Sequence, residues 1–169
     1  MLRSMDGKAP KVAATAFVSE LAYVVGDVEL GDYSSVWPGA IIRSDDVPIR
    51  IGRNANVQDG AVVHASGDPL SIGDGVTIGH GVVIHGSFIG ANSMLGNNCT
   101  VLEQARIGEG CLIAANAVVL AGAQVPDGSF VTGVPGRVKG TVTEAQRQMM
   151  LENARSVVVE AQRNKEQGL

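Results

Sequence analysis

The sequence predicts an all-β solenoid, a parallel β-helix of hexapeptide repeats with a C-terminal α-helix, and three observations support this prediction. An aliphatic residue recurs at every sixth position over most of the chain. Small residues, mostly glycine and alanine, follow it one or four places later. The chain holds 22 glycines, whereas aromatic residues make up only 4% of it. A period of six fits neither a helix nor a simple alternating strand, and it is typical of a β-helix.

The aliphatic positions mark the predicted strands in order. They are Val18, Val24, Leu30, Val36, Ile42, Ile51, Val57, Val63, Ile72, Ile78, Ile84, Ile89, Leu95, Val101, Ile107, Ile113, Val119, Val125 and Val131. Each hexapeptide makes one short strand and one tight corner, so three make a triangular coil of about 18 residues, and coils stack roughly 4.8 Å apart. The aliphatic side chain points into the prism, and the small residue four places later fits a crowded corner. Residues three repeats apart therefore lie above one another on one face.

The six-residue pattern stops after Gly136, and a helix is predicted to start near Glu144, with Thr143 or Thr141 as its N-cap. Apolar residues recur at helical spacing in this segment: Leu151, Ala154, Val158 and Ala161. Such a stripe is expected to pack along the outside of the solenoid, in the same subunit or the next. We therefore divide the chain into a β-helix domain, residues 1–140, and a helix that packs on it, residues 141–169.

Composition excludes several classes of partner. The net charge is −4 and the pI is about 5.3, which argues against a nucleic-acid partner. No stretch of 18 apolar residues and no apolar run near Met1 is found, so we expect no membrane partner and a cytoplasmic location. Cys99 and Cys111 occupy small-residue positions on different faces and are expected to be buried free thiols.

All three histidines fall between residues 64 and 85. His64 and His85 each directly follow an aliphatic position, three strands apart, so they are expected to stack on one face. Two imidazoles whose backbones are about 4.8 Å apart can converge on one metal ion, with bonds near 2.0–2.1 Å. His80 follows Ile78 by two places, on the neighbouring face, and is expected to reach such a metal only in a second copy of the chain. This set leaves a fourth position open, as catalytic zinc sites do.

Other polar residues fall into the same two columns. Arg43 is predicted to lie beneath His64, whereas Gln58 and Asp59 are predicted to lie beneath His80 and the residue before it. Two segments therefore flank the predicted metal from opposite sides of a subunit junction: Arg43-Ser44-Asp45-Asp46 and Asn56-Val57-Gln58-Asp59-Gly60.

These motifs resemble those of the γ-class carbonic anhydrases, in their short bacterial branch. The matching segments are Ser35-Val36-Trp37-Pro38, Ile42-Arg43-Ser44-Asp45, Ala55-Asn56-Val57-Gln58-Asp59-Gly60, Val63-His64, Ile78-Gly79-His80-Gly81, Ile84-His85-Gly86 and Val131-Thr132-Gly133-Val134-Pro135-Gly136-Arg137-Val138. The resemblance covers the chain from about Pro10 to Gly140, and it implies that the β-helix is left-handed. Hexapeptides alone are shared with many acyltransferases, whereas three histidines in register with Arg-x-Asp and Asn-x-Gln-Asp are far more specific.

The resemblance implies a lyase that would hydrate CO₂ to bicarbonate at the interfaces of a homotrimer. The metal would be Zn²⁺, with Fe²⁺ or Co²⁺ as alternatives, held by His64, His80 and His85, with His80 crossing the interface. Zinc lowers the pKa of bound water to about 7, and the hydroxide attacks CO₂.

The resemblance also implies roles for the neighbouring polar residues. Arg43 and Asp45 would pair across the interface, with Arg43 near the bicarbonate. Gln58 would orient the attacking hydroxide. Two further residues would support the ligand shell, Asn56 and Asp59. Asp46 falls where the family has an acidic residue that relays protons.

The chain departs from the family in two places, and other functions stay open. The connection 65–71 lacks the long acidic loop that carries a proton-shuttling glutamate, and the helix lacks the family's tyrosine, while its Asn153 and Asn164 do not clearly match. One alternative is a hexapeptide acyltransferase or thioesterase acting on an acyl-coenzyme A, although such enzymes commonly use a single histidine. Another is a non-catalytic metal-binding trimer, which the sequence does not separate from the lyase.

Overall fold

The aliphatic ladder forms three parallel sheets that close into a triangular prism. The computed structural model describes residues 1–85 and 88–169. Each strand of the prism pairs in parallel with the strand three places later, as in the column that runs through Ile42, Val63, Ile84 and Val101. This pairing is the one expected for coils of three hexapeptides. The fold is a left-handed parallel β-helix with a C-terminal helix, as predicted.

The three faces are named here by what lies on them. The histidine face consists of β1 (Leu2–Arg3), β4 (Tyr23–Val25), β7 (Ile41–Ser44), β10 (Val62–Ala65), β13 (Val83–Ile84), β16 (Thr100–Val101) and β19 (Val118–Val119). The ion-pair face consists of β2 (Lys11–Val12), β5 (Val28–Leu30), β8 (Ile49–Ile51), β11 (Leu70–Ile72), β14 (Phe88–Ile89), β17 (Arg106–Ile107) and β20 (Gln124–Val125). The helix-covered face consists of β3 (Phe17–Val18), β6 (Ser35–Val36), β9 (Asn56–Val57), β12 (Thr77–Ile78), β15 (Met94–Leu95), β18 (Leu112–Ile113), β21 (Ser129–Thr132) and β22 (Arg137–Thr141), the last of which runs antiparallel to β21.

The core fills the inside of the prism with the predicted aliphatic residues. Ile42, Val63 and Ile84 are fully buried, and so are small corner residues such as Ala40 and Ala61. Cys99 and Cys111 are buried free thiols, as predicted, and burial raises the pKa of Cys99 to about 12. Side chains alternate between the inside and the outside of the prism along each strand. The positions of the buried aliphatic residues therefore determine which side chains face outward.

The helix α1 (Glu144–Gln167) begins at the predicted cap and packs on its own solenoid. Thr143 is the N-cap, and its capping box with Gln146 satisfies exposed backbone groups of the first turn. The helix contacts β3 and β9, and the Lys165 ammonium donates to the carbonyl of Ala16 at 2.7 Å. Ala161 is buried as part of the predicted stripe, whereas Met150, not its neighbour Leu151, is the second buried residue. Among the described residues, no helix is apolar over a length that would span a bilayer.

Candidate metal centre

His64 and His85 stack on the histidine face, as the repeat predicts. The register pairs Val63 with Ile84, so the two following residues are brought one above the other. The ring centroids are 4.6 Å apart, and the ring planes differ by 5°. The side chain of His64 is 21% exposed and that of His85 is 29% exposed, which leaves the pair partly open to the outside of the prism.

Glu103 holds one nitrogen of His85, a contact that the sequence analysis missed. The Nδ1 atom of His85 lies 2.6 Å from a carboxylate oxygen of Glu103. The hydrogen bond with His85 lowers the pKa of Glu103 below its ordinary value. The other ring nitrogen, His85 Nε2, is buried and has no hydrogen-bond partner among residues 1–85 and 88–169.

Arg43, Asp45 and His64 form a chain of contacts below the stacked rings. Arg43 lies beneath His64 in register, as predicted, and its Nη1 donates to both carboxylate oxygens of Asp45. Asp45 Oδ2 lies 2.8 Å from His64 Nε2. The hydrogen bond with His64, and then the bond and charge of Arg43, hold the pKa of Asp45 below its usual range. Within the single chain Arg43 and Asp45 pair with each other, and their pairing between subunits stays a prediction.

His80 lies on the neighbouring face, at the corner that follows β12. Its Nδ1 lies 3.1 Å from Asp59 Oδ2, so the predicted vertical relation between these two residues is found. The backbone is clamped from the next coil, because the His80 N–H donates to Asn97 Oδ1 at 3.1 Å and the Asn98 N–H donates to the His80 carbonyl at 2.8 Å. The His80 side chain is 56% exposed, and it is therefore available to a partner outside its own prism.

The glycines on either side of His80 let the coils approach this closely. A Cβ atom at Gly79 would lie 2.6 Å from Asn97 Oδ1 and 2.8 Å from a backbone carbonyl. Gly81 has a φ of +65°, in the left-handed region that favours glycine, and a Cβ there would lie 2.4 Å from Asn98 Oδ1. Side chains at either position would push His80 away from the next coil.

The remaining predicted residues occupy different surroundings. Asn56 is fully buried on the helix-covered face, where its Nδ2 donates to Thr77 Oγ1 at 3.0 Å. The Asp46 carboxylate lies at the corner between the histidine face and the ion-pair face, and it accepts a hydrogen bond from the Gly67 N–H at 3.0 Å. Gln58 shares a cleft with His80. The structure therefore separates Asn56 and Asp46 from one another while keeping Gln58 beside a histidine.

The cleft at His80 is walled on one side by helix α1. It encloses about 430 Å³ and is lined by Trp37, Gln58, Asp59, His80, Asn153, Ser156, Val157 and Glu160. Asn153 has no clear counterpart in the sequence pattern, but the structure brings it to the same cleft as His80. Glu160 adds a carboxylate that the sequence analysis did not assign. Neither residue carries a signal in the sequence, because their placement depends on how the helix lies on the solenoid.

The described part of one chain does not bring three metal ligands together. Among residues 1–85 and 88–169, no group of three or more histidine, cysteine, aspartate or glutamate side chains lies close enough to hold a metal ion. The histidines nevertheless fit a divalent transition metal, for which imidazole nitrogen is a preferred ligand. His85 Nε2 is a buried acceptor without a described partner, and such atoms ordinarily have one. Asp45 also pairs with Arg43, so its carboxylate would keep a partner if a metal ion replaced its contact with His64.

Comparisons with known proteins agree with this fold and indicate the family. A family model described as dynactin subunit 5 matches residues 11–162. The chain is 51% identical over 138 residues to a probable carbonic anhydrase of Methanocaldococcus jannaschii, a match that covers 81% of this chain and 87% of that protein. It is 36% identical over 145 residues to a carbonic anhydrase of Geobacillus kaustophilus, covering 85% and 80% of the two chains.

A solved structure whose name indicates acyl transfer is similar to this chain over almost its whole length. The crystal structure of a putative acetyltransferase of Bacillus cereus superposes with a TM-score of 0.94 at 34% sequence identity. The superposition covers 98% of this chain and 96% of that one. The fold therefore accommodates proteins named for two kinds of chemistry, and the residues of the site have to decide between them.

Proposed function

We propose that this chain, which belongs to the γ-class carbonic anhydrase-like family of hexapeptide-repeat proteins, catalyses the reversible hydration of CO₂ to bicarbonate. The observation that carries this proposal is the parallel pair of His64 and His85, with one carboxylate against each ring and His85 Nε2 left as a buried acceptor. A single catalytic histidine, as an acyltransferase commonly has, needs no such pair.

The metal would be shared between two chains. His64 and His85 of one chain and His80 of the next would hold Zn²⁺, with Fe²⁺ or Co²⁺ as alternatives. A bound zinc ion lowers the pKa of water to about 7 and thus supplies a nucleophile at neutral pH. The two carboxylates at the Nδ1 atoms of His80 and His85 leave the Nε2 atoms of both rings for coordination.

The surrounding side chains have distinct duties in the proposed reaction. Gln58, which shares the cleft with His80, would orient the attacking oxygen through its amide. The Arg43 guanidinium would attract the bicarbonate oxygens, since its planar donors match a carboxylate-like group. Asp46 would take up the released proton at the neighbouring corner. Asn56, buried beside Thr77, would keep β9 and β12 in register under the cleft.

An apolar stripe beside the histidines supports a homotrimer. Tyr23, Ile41, Val62 and Val83 stack as outward residues of the histidine face. Tyr23 and Ile41 are each 39% exposed and Val83 is 41% exposed in the single chain. A second copy seated on this stripe would bury it and bring its own His80 to the stacked pair. A closed ring of three such contacts has three equivalent sites, and every stripe is then covered. A cytoplasmic location fits the two buried, unpaired thiols.

The proposal is tested by measuring zinc content and CO₂ hydration on the same preparation. We expect one zinc ion per chain together with hydration activity, and we expect His85→Ala to lose both. Gln124→Ala, on the ion-pair face, is the matched control and should keep both. Full zinc content in His85→Ala contradicts the ligand assignment. Full zinc content without hydration in the wild-type protein favours a non-catalytic metal-binding trimer instead.

The similarity to a putative acetyltransferase supports a second candidate, acyl transfer from an acyl-coenzyme A. This candidate predicts that protein freed of metal with a chelator moves the acetyl group of acetyl-coenzyme A to an added hydroxyl or amine acceptor, or to water, and releases free coenzyme A. The lyase predicts that the chelated protein releases no coenzyme A and that zinc restores CO₂ hydration.

A further inference from the structure

The side chain of Glu103 reaches back across one coil to His85. Ile84 and Val101 pair in register, so Leu102 is in register with His85 and Glu103 is the next residue along the chain. The carboxylate oxygen lies 2.6 Å from His85 Nδ1. The Glu103 side chain is 55% exposed, so its contact with His85 lies at the protein surface. It extends the column of side chains formed by Arg43, His64 and His85.

This contact fixes which ring nitrogen of His85 carries the proton. An ionised carboxylate only accepts hydrogen bonds, so a neutral imidazole bound to it must place its single N–H on Nδ1. The lone pair then lies on Nε2. That atom is buried and has no hydrogen-bond donor among the described residues. A buried acceptor without a donor destabilises the fold unless another group approaches it.

We infer that Glu103 is a positioning residue, which holds His85 in the tautomer whose Nε2 atom is ready to bind a divalent cation. The inference rests on the proposed function, since it concerns a ligand of the same metal site. His80 stands in the same relation to Asp59, whereas His64 turns its Nε2 toward Asp45. His85 therefore combines an Nδ1 atom bound to a carboxylate with a buried Nε2 atom. Removing a residue that hydrogen-bonds to a metal-binding histidine typically weakens metal affinity about 10–100-fold.

The test compares Glu103→Ala with Glu103→Gln and with the control Glu109→Gln, one hexapeptide further on at another exposed position. Long-range ¹H–¹⁵N spectra of the metal-free protein report the tautomer of each histidine. We expect His85 to carry its proton on Nδ1 in the wild type and in Glu109→Gln, and to shift toward the Nε2–H form in Glu103→Ala. Glu103→Gln keeps an acceptor oxygen and should retain the wild-type tautomer.

Zinc titration against a competing chelator supplies the second measurement. Glu103→Ala should bind zinc about 10–100-fold more weakly than Glu109→Gln, with Glu103→Gln in between. An unchanged His85 tautomer in Glu103→Ala, or a zinc affinity within about twofold of the control, overturns the inference. If Glu103→Ala does not fold, Glu103→Gln takes its place. Weaker zinc binding by Glu103→Gln than by Glu109→Gln then supports the inference, and zinc affinity within about twofold of Glu109→Gln overturns it. The tautomer is read without metal or CO₂, so a protein that binds zinc but hydrates no CO₂ refutes the proposed function and leaves this inference standing.

Discussion

Placing a charge in the apolar stripe should separate the subunits without unfolding them. Val83 lies between Val62 and Thr100 on the histidine face and points outward. Because it is 41% exposed in the single chain, an aspartate at this position stays in contact with water in the monomer. In the proposed assembly the same aspartate would be covered by a neighbouring chain. The substitution Val83→Asp therefore acts on association and leaves the folded chain intact.

The expected magnitude follows from the desolvation of an unpaired carboxylate. Removing one such charge from water costs several kcal/mol, and each 1.4 kcal/mol changes a dissociation constant tenfold. A penalty of about 3 kcal/mol at each interface weakens that interface by at least roughly 100-fold. Sedimentation velocity across nanomolar to micromolar concentrations measures the shift, and circular dichroism checks that the variant is folded.

Val159→Asp is the matched control, because it introduces the same charge at a helix position that is 71% exposed. We expect this variant to assemble as the wild type does. A folded Val83→Asp protein that assembles as tightly as Val159→Asp would refute the placement of the interface on the stripe.

Three further predictions concern proton transfer, acid stability and the helix cap. Asp46→Ala should lower CO₂ turnover about 10-fold or more in dilute buffer and little in concentrated imidazole, because the buffer then takes up the released proton; stopped-flow hydration measures this. The Arg50 hydrogen bond holds the pKa of Asp27 below its ordinary value of 3.8, so this pair stabilises the fold above that pH and the stabilisation is lost as the pH falls through the lowered pKa. Asp27→Asn should therefore cost less than about 1 kcal/mol at neutral pH and reduce the acid dependence of urea unfolding. Thr143→Ala removes the cap of α1 and should lower the free energy of unfolding by about 1 kcal/mol, again by urea unfolding.

The period of six made the stacked histidines predictable from sequence. Once Val63 and Ile84 are assigned to one inward column, the residue after each must lie on the same outer edge, one coil apart. The same reasoning placed Arg43 beneath His64 and Asp59 beneath His80. These relations depend only on strand register, which the aliphatic spacing determines.

Glu103 escaped prediction because strand register alone does not place it at the ring. Val101 is the third strand after Ile84, as the aliphatic ladder predicts, so Leu102 is the residue in register with His85. Glu103 comes one place later, and only its side-chain conformation brings the carboxylate to His85 Nδ1. Gly86, which belongs to one of the matching segments, lies outside the described residues.

Two other contacts have local physical causes. Arg43 lies near the end of β7 and Asp45 follows that strand directly, so the two side chains are close enough to pair within one chain. Asn153 reaches the cleft of His80 through the packing of α1 on β3 and β9. The helical period identifies an apolar stripe, but the position of a helix along a solenoid face depends on contacts between distant segments.

Mixing two inactive variants tests the shared metal site most directly. His80→Ala retains the stacked pair, and His85→Ala retains the crossing histidine, so neither variant alone should bind stoichiometric zinc. When the two chains are dissociated, mixed in equal amounts and reassembled, about one quarter of the interfaces of a cyclic assembly combine intact ligands from both. The account predicts that zinc content and CO₂ hydration both return to about one quarter of the wild-type level in the mixture. Full zinc content in either variant alone, or no recovery in a mixture shown to contain hybrid assemblies, would contradict it.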